Sequence, residues 1–431
     1  MTPLVHSLTS ASCVVRSAMD CPKKASAAAA GFPDDPLVEI LSRLRAKPLF
    51  RFKCVSKAWC GLIADRLGRR KFPQTLEGFF FLGGGGVNNG HLISLLGRSD
   101  PLIDASFSFL SKVPGTDMAL LGSHNGLLLF GITWEGGSFG YIVCNPATQQ
   151  RVAVPSSGFT PCPPLEKDDE YAFDFRRAAH HFLIFDPAVS SHFHLVQFWH
   201  YRCTKVVEYV CVYSSETGVW RGRRRGLVAR YGYGEARQFQ RMMRHEDQVE
   251  PKLGRADVNG MLHIPVYHFY GNQPEAKEIQ IDAVDMEGKT CRSIRWPDKN
   301  EFVTPAFIGQ SQGLMHCINK HEKQEGCRVH INGLSIWVLE DYDQEQWVLK
   351  RRVSCSQLFG EIDYGIDDLV VVAIHPDRNL IFFVHHYDQK LISYDMDSEE
   401  VCTLRTLGHD CQLIVPYVSY FGELSAVANR H

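Results

Sequence analysis

At intervals along this chain a dipeptide ending in glycine, with Asn or Gln before it, stands directly in front of an apolar run. Asn89-Gly90 precedes HLISLL, Asn125-Gly126 precedes LLLF, Asn259-Gly260 precedes MLHIPV and Gln312-Gly313 precedes LMHCI; a related turn, Asp377-Arg378-Asn379, precedes LIFFV. Gly after Asn tolerates the left-handed backbone of a tight turn, so each phrase predicts a turn feeding a strand. A second phrase follows: a strand, a polar or acidic turn, and another strand. It reads YIVCNPATQQRVAVP, EYVCVYSSETGVW, EIQIDAVDMEGKTCRSIRWP, LSIWVLEDYDQEQWVLKRRV and LISYDMDSEEVCTLRTL, with turn centres near 147, 216, 287, 343 and 397 that lie 69, 71, 56 and 54 residues apart.

A repeat of that length fits a four-stranded propeller blade with its loops, longer than the roughly 40–50 residues of compact WD and kelch units. Stacking such blades radially buries both faces of each sheet and leaves only short edges. The five phrases, with an incomplete first unit around residues 79–112, predict an all-β, propeller-like domain of six blades, within one. The run QLIVPYVSYF near the C-terminus is expected to add the strand that closes the first blade.

Ahead of the repeats the texture is helical. Residues 32–63 hold 17 apolar residues in 32, more than a unit of about 40 residues hides by itself. Asp34 and Asp35 supply capping oxygens and Pro36 suits a first helical position. Leu37, Ile40, Leu41 and Leu44 recur at i, i+3, i+4 and i+7 and line one face. Leu49, Phe52 and Val55 form a second stripe, and Trp59, Leu62 and Ile63 a third. Three short helices with an uncovered apolar patch are the expectation.

These residues resemble the F-box: Phe32-Pro33, Ile40-Leu41 and Val55-Ser56-Lys57-Ala58-Trp59 stand at that family's spacing. The resemblance implies docking on a Skp-type adaptor, and through it on the cullin and RING subunits of a ubiquitin ligase. By matching positions it assigns adaptor contacts to Pro33, Leu37, Ile40, Leu41, Leu44, Leu49, Phe52, Val55 and Trp59. Further along, Ser123-His124-Asn125-Gly126-Leu127, Cys144-Asn145-Pro146-Ala147-Thr148 and the phrase from Ile336 to Lys350 resemble the F-box-associated domain of plant proteins, a propeller-like or kelch-like β domain. In that family the β domain recruits the protein to be ubiquitinated. The resemblance therefore implies a non-catalytic substrate receptor. A propeller enzyme with a central-channel site, or a binding scaffold outside the ubiquitin system, are the rival readings.

The domain organisation expected is a disordered tail over 1–30, an F-box helical domain over 31–72 and the β domain over 73–431. Lys+Arg 46 against Asp+Glu 48 gives a formal charge of -2, so nothing global points to nucleic acid. Fourteen cysteines without a C-x-x-C pair read as reduced thiols of an intracellular protein, in nucleus or cytoplasm. Apolar runs stay short of a membrane span, and no membrane partner is expected.

Local chemistry is sparse. Cys317, His321, Cys327 and His330 gather two Cys and two His, but their spacing is irregular for zinc, and a hairpin is the expected form. His192 and His194 share a strand face without a third ligand. Gly83 to Gly86 lack the Lys-Ser or Lys-Thr of a phosphate loop. The acidic stretch YDMDSEE at 394–400 lacks the spacing of a calcium loop. No metal, cofactor or catalytic group is assigned. The sharpest anomaly is 221–244, with eight Arg and one Glu, placed in an insertion over 221–256. Such a stretch makes a local anion site, with Arg221, Arg223, Arg224 and Arg225 as candidate contacts to an acidic substrate segment.

Overall fold

The computed structural model describes Pro36, Leu37, Ile40, Phe52, Val55, Ser56, Ala58 and Trp59, and then residues 76–424, apart chiefly from 83–89, 96–102, 111–115, 135–138, 159–176, 202–206, 225–247, 270–276, 286–290, 326–327, 361–368 and 408–412. Strands β1 (Leu76–Leu82) and β2 (Gly90–Ser94) belong to the first sheet. The second is β3 (Thr116–His124), β4 (Leu127–Trp134), β5 (Phe139–Asn145) and β6 (Gln150–Val154), in that order. The third orders β7 (Arg177–Ile184), β8 (His194–Tyr201), β9 (Val207–Ser214) and β10 (Val219–Arg224). In the fourth, β11 (Gln248–Val249) and β12 (Ala256–Val258) both pair with β13 (Met261–Phe269), followed by β14 (Lys277–Asp285) and β15 (Cys291–Arg295). The fifth holds β16 (Val303–Ser311), β17 (Leu314–Glu325), β18 (Arg328–Asp341) and β19 (Gln346–Ser354), and the sixth β20 (Leu369–Ile374), β21 (Leu380–His385), β22 (Lys390–Asp395) and β23 (Val401–Thr406). Finally β24 (Ile414–Val418) returns to pair with β1, placing Val415 opposite Phe80 and Val418 opposite Leu76.

Six sheets closed by the C-terminal strand are the six blades read from the repeats. Closure is visible in the packing, because each of six buried clusters lies between two successive sheets. Phe80, Phe130 and Tyr417 join the first to the second; Tyr141, Leu183 and Tyr213 the second to the third; Phe198, Ile264 and Val284 the third to the fourth. Ile281, Ile308 and Cys317 join the fourth to the fifth; Ile318, Ile336 and Phe383 the fifth to the sixth; Phe79, Phe382 and Leu391 the sixth back to the first. Both faces of a blade are thus apolar, which is why the strands read as continuous runs such as LLLF and LIFFV rather than as clean alternation.

The innermost strands β24, β3, β7, β12, β16 and β20 surround the axis, with β24 touching β3, β3 touching β7, and β16 lying between β12 and β20. Gly254 makes one such approach possible: it bridges to Ile308 in parallel at φ 80°, and a Cβ there would stand 2.5 Å from the Ile308 carbonyl oxygen.

Three of the turns fold as the dipeptides predict, while Asn89 lies outside the described residues. Asn125 and Gly126 have φ of 45° and 91°, Asn259 and Gly260 of 55° and 72°, Gln312 and Gly313 of 52° and 78°. The outer turns use a second device, in which Asn145 accepts from the Ala147 N–H at 3.0 Å, Asp341 from Asp343 at 2.9 Å and Asp395 from Asp397 at 2.8 Å. These side-chain turns mimic a backbone turn, and the last of them is the acidic 394–400 stretch. All these turns lie on one face of the ring. The opposite face carries the points at which one blade hands over to the next, after β6, β10, β15, β19 and β23. A short helix, α1 (Cys355–Phe359), opens one of them with a Ser354 capping box.

Candidate functional site

In the N-terminal segment, Pro36, Leu37 and Ile40 are helical, as are Phe52, Ala58 and Trp59. Ser56 caps the turn that carries Trp59, accepting the Trp59 N–H at 3.1 Å, and the Trp59 ring lies 5.3 Å from that of Phe52. Five of the nine adaptor-contact candidates can therefore be placed. Leu37, Phe52 and Trp59 are half-buried, whereas Ile40 is 55% exposed and Val55 60% exposed. Pro33, Leu41, Leu44 and Leu49 lie outside the described residues.

In the β domain, the phrase Ser123-His124-Asn125-Gly126 sits where the inner strands end on the tight-turn face. Its first three residues reach into neighbouring blades. The Ser123 hydroxyl donates to the Pro416 carbonyl of β24 at 2.6 Å, and the Asn125 amide donates to the Phe185 carbonyl at 2.7 Å. His124 Nδ1 accepts the Phe185 N–H at 2.9 Å, while its Nε2 donates to Asp257 Oδ2 at 2.8 Å. Arg255 lies 3.9 Å from the same oxygen and donates to the Ser123 carbonyl at 3.3 Å, and the Asp257 N–H donates to Gln310 of the next blade at 2.8 Å. Five of the six blades meet in this knot.

The electrostatics follow from enclosure. Side-chain exposure is 11% for His124, 16% for Arg255 and 17% for Asp257. Burial, then the Arg255 charge, lowers the His124 pKa, so the ring is neutral with the proton on Nε2. Burial pushes Asp257 up, but His124 and then Arg255 and His263 outweigh it and hold the carboxyl at about 2. A His, an Arg and a carboxylate on inner strands is the convergence a propeller enzyme requires. Here both His124 nitrogens are engaged within the protein, so the imidazole offers no free nitrogen to a substrate proton. The arrangement ties blades together.

The other candidates disperse. Cys317 is fully buried in β17, and His321 stands four residues further along that strand, opposite Gly333. His330 faces Lys323 across the hairpin, and Cys327 lies outside the described residues. Among the described residues no group of three or more His, Cys, Asp or Glu is placed to hold a metal ion. His192 precedes β8 and its N–H donates to Ser190; His194 opens β8, its pKa lowered by burial. Gly83 to Gly86 lie outside the described residues.

Both ends of the 221–256 stretch belong to sheets. Arg221, Arg223 and Arg224 lie on β10, where Arg221 is exposed and pairs in register with Val212, while residues 248–258 build β11, a 3-10 turn and β12. The alternating residues VWRGRR sit on the outermost strand of a blade, where arginine keeps an open sheet edge from pairing with other chains. Arg225 and the remaining arginines lie outside the described residues. Sequence reasoning missed Arg255 and Asp257 altogether. Their one signal is a pair of opposite charges at the start of an inner strand, Arg255 just ahead of β12 and Asp257 within it, shortly before the Asn259-Gly260 turn.

Comparisons with known proteins agree with both halves. A family model described as F-box protein At3g26010-like, beta-propeller matches residues 102–415, and the F-box domain matches residues 31–71. F-box protein At1g52495 of Arabidopsis thaliana is 21% identical over 402 residues, spanning 87% of this chain and 82% of that protein. F-box protein At5g49610 of the same plant is 26% identical over 346 residues, spanning 76% and 80%. Among solved structures, TolB from Acinetobacter baumannii is similar at 8% identity and a TM-score of 0.40, over 79% of this chain and 66% of that one, a likeness that carries no functional argument.

Proposed function

The chain belongs to the F-box protein At3g26010-like β-propeller family, and from that membership we propose that it is the substrate-recognition subunit of a Skp–cullin–F-box ubiquitin ligase. The F-box helices bind a Skp-type adaptor, which connects them to the cullin and RING subunits. The propeller binds the protein to be ubiquitinated. The receptor is non-catalytic: tethering raises the effective concentration of target near the ligase's charged partner. Nucleus or cytoplasm is the compartment proposed, in keeping with the free thiols of Cys144, Cys211, Cys317, Cys355 and Cys402.

The observation that carries this reading is the apolar surface left on the F-box segment. Ile40 at 55% and Val55 at 60% exposure are large apolar side chains with about half or more of their surface in water, surface that an adaptor would cover on this reading. Within the propeller the tight-turn face is taken up by the knot and the C-terminal segment. The opposite face, where β10 ends, is the one proposed to meet the target, with Arg221, Arg223 and Arg224 of β10 and the Arg225 that follows them as contacts to acidic side chains.

The test is capture on an immobilised Skp adaptor. Ile40→Asp and Val55→Asp place charges at exposed positions, so the fold should be untouched while binding weakens by about tenfold or more per site. Undiminished capture by the double variant would sink the proposal.

A further inference from the structure

After β24 the chain does not leave the molecule. It crosses the tight-turn face from the first blade to the second and third. The Asn145 amide donates to the carbonyl oxygens of Tyr420 at 2.8 Å and Gly422 at 3.4 Å, and the Leu424 N–H donates to Gln150 Oε1 at 2.9 Å. Asn145 is fully buried, and its carbonyl oxygen is already engaged by the Ala147 N–H. Thr148 steadies Gln150 by donating to the same Oε1 at 3.2 Å. The Tyr420 ring meets Phe185 edge-on at 4.9 Å, and Leu424 and Tyr420 both pack on the cluster between the second and third blades. At Gly126 a Cβ would stand 2.3 Å from the Cβ of Tyr420, so only glycine admits the segment.

We propose that Gly126, Asn145, Gln150 and Phe185 form a peptide-holding groove whose ligand is the chain's own segment from Ser419 to Leu424, a clasp that locks the closing strand to two further blades. The groove reads backbone through two side-chain amides and selects one aromatic anchor, the chemistry of an extended Tyr-x-Gly-x-Leu segment. Among the described residues β24 pairs as a strand with β1 alone, with the Ser123 hydroxyl adding one bond from the second blade. The clasp therefore supplies a further attachment at the one place where the ring is joined by strand pairing between its two ends.

The test uses the full chain. Asn145→Asp keeps the oxygen that accepts from Ala147 and turns the amide donor into an acceptor facing the Tyr420 carbonyl, so the outer turn survives while the clasp is repelled. Timed digestion with carboxypeptidase reads the outcome. In the unsubstituted protein trimming should stall on reaching Leu424, and in Asn145→Asp it should run past Tyr420 at least about tenfold faster, with a melting temperature lower by about 2–4 °C. Tyr420→Ala, which alters only the tail, should give the same two changes and serves should Asn145→Asp fail to fold. Adaptor capture should be unaffected in both. Equal trimming through Tyr420 in all three proteins, or an unsubstituted tail removed without a stall, overturns the proposal.

Discussion

At the scale of residues, the phrase Ser-His-Asn-Gly shows what a sequence carries openly and what it hides. The left-handed backbone at Asn125 and Gly126 was readable, because few residues tolerate it. That Gly126 is also needed for the passage of Tyr420 was not, since Tyr420 lies nearly three hundred positions away. His124 looked like any histidine until folding set Asp257 and Arg255 beside it. The structure makes these charges interdependent. Asp257→Ala leaves the His124 Nε2–H without its acceptor and the Arg255 guanidinium without its countercharge in a largely enclosed site, and breaking such a pair costs about 3–5 kcal/mol. A urea unfolding midpoint should fall accordingly. An unchanged midpoint would mean that water replaces the carboxylate.

At the scale of elements, periodicity and turn chemistry did most of the work. The outer turns at Asn145, Asp341 and Asp395 were recognisable as polar, and the same residues close them by accepting backbone N–H groups. The acidic 394–400 stretch is thereby a turn whose leading carboxylate is satisfied by its own backbone. Arg221 to Arg224 were misjudged as part of a loop because like charges mask the alternation of a strand; the register of β10 against β9 recovers it. Four of the nine F-box candidates lie outside the described residues, so their sorting rests on the other five, Leu37, Ile40, Phe52, Val55 and Trp59. The closing strand was anticipated from QLIVPYVSYF, and it invites a test. Ending the chain at Cys411 removes Val415 and Tyr417 from one interblade core and Ile414 and Val418 from the next. Such a chain should show no cooperative thermal transition of the β domain in calorimetry; a retained transition would mean that five and a half blades suffice.

For the whole molecule, histidines enclosed in the ring set its response to acid. Burial lowers His181 to about 4, His316 to about 4 and His375 to about 4, the last two helped by Lys350 and Arg378. Each is neutral in the folded protein and takes up a proton near 6.5 once unfolded. Their contribution to stability is therefore complete above pH 6.5 and drains away as the pH falls toward 4. Between pH 7 and pH 5 the melting temperature of the β domain should drop by roughly 5 °C or more, read by fluorescence in matched buffers; a flat profile would show that the three rings stay hydrated. The six blades themselves were legible because every repeat carries its own turn signals, whereas the order in which blades interlock across the axis has no local signature. The pairing of β24 with β1 has a temporal side as well. Ile414 follows Leu82 by 332 residues (414 − 82), and at about 5–20 residues per second a ribosome needs roughly 17–66 s to travel that distance. During that interval the nascent chain carries its F-box segment and a first blade without its closing strand, so on the receptor reading proposed above adaptor recruitment would precede completion of the part that chooses a target.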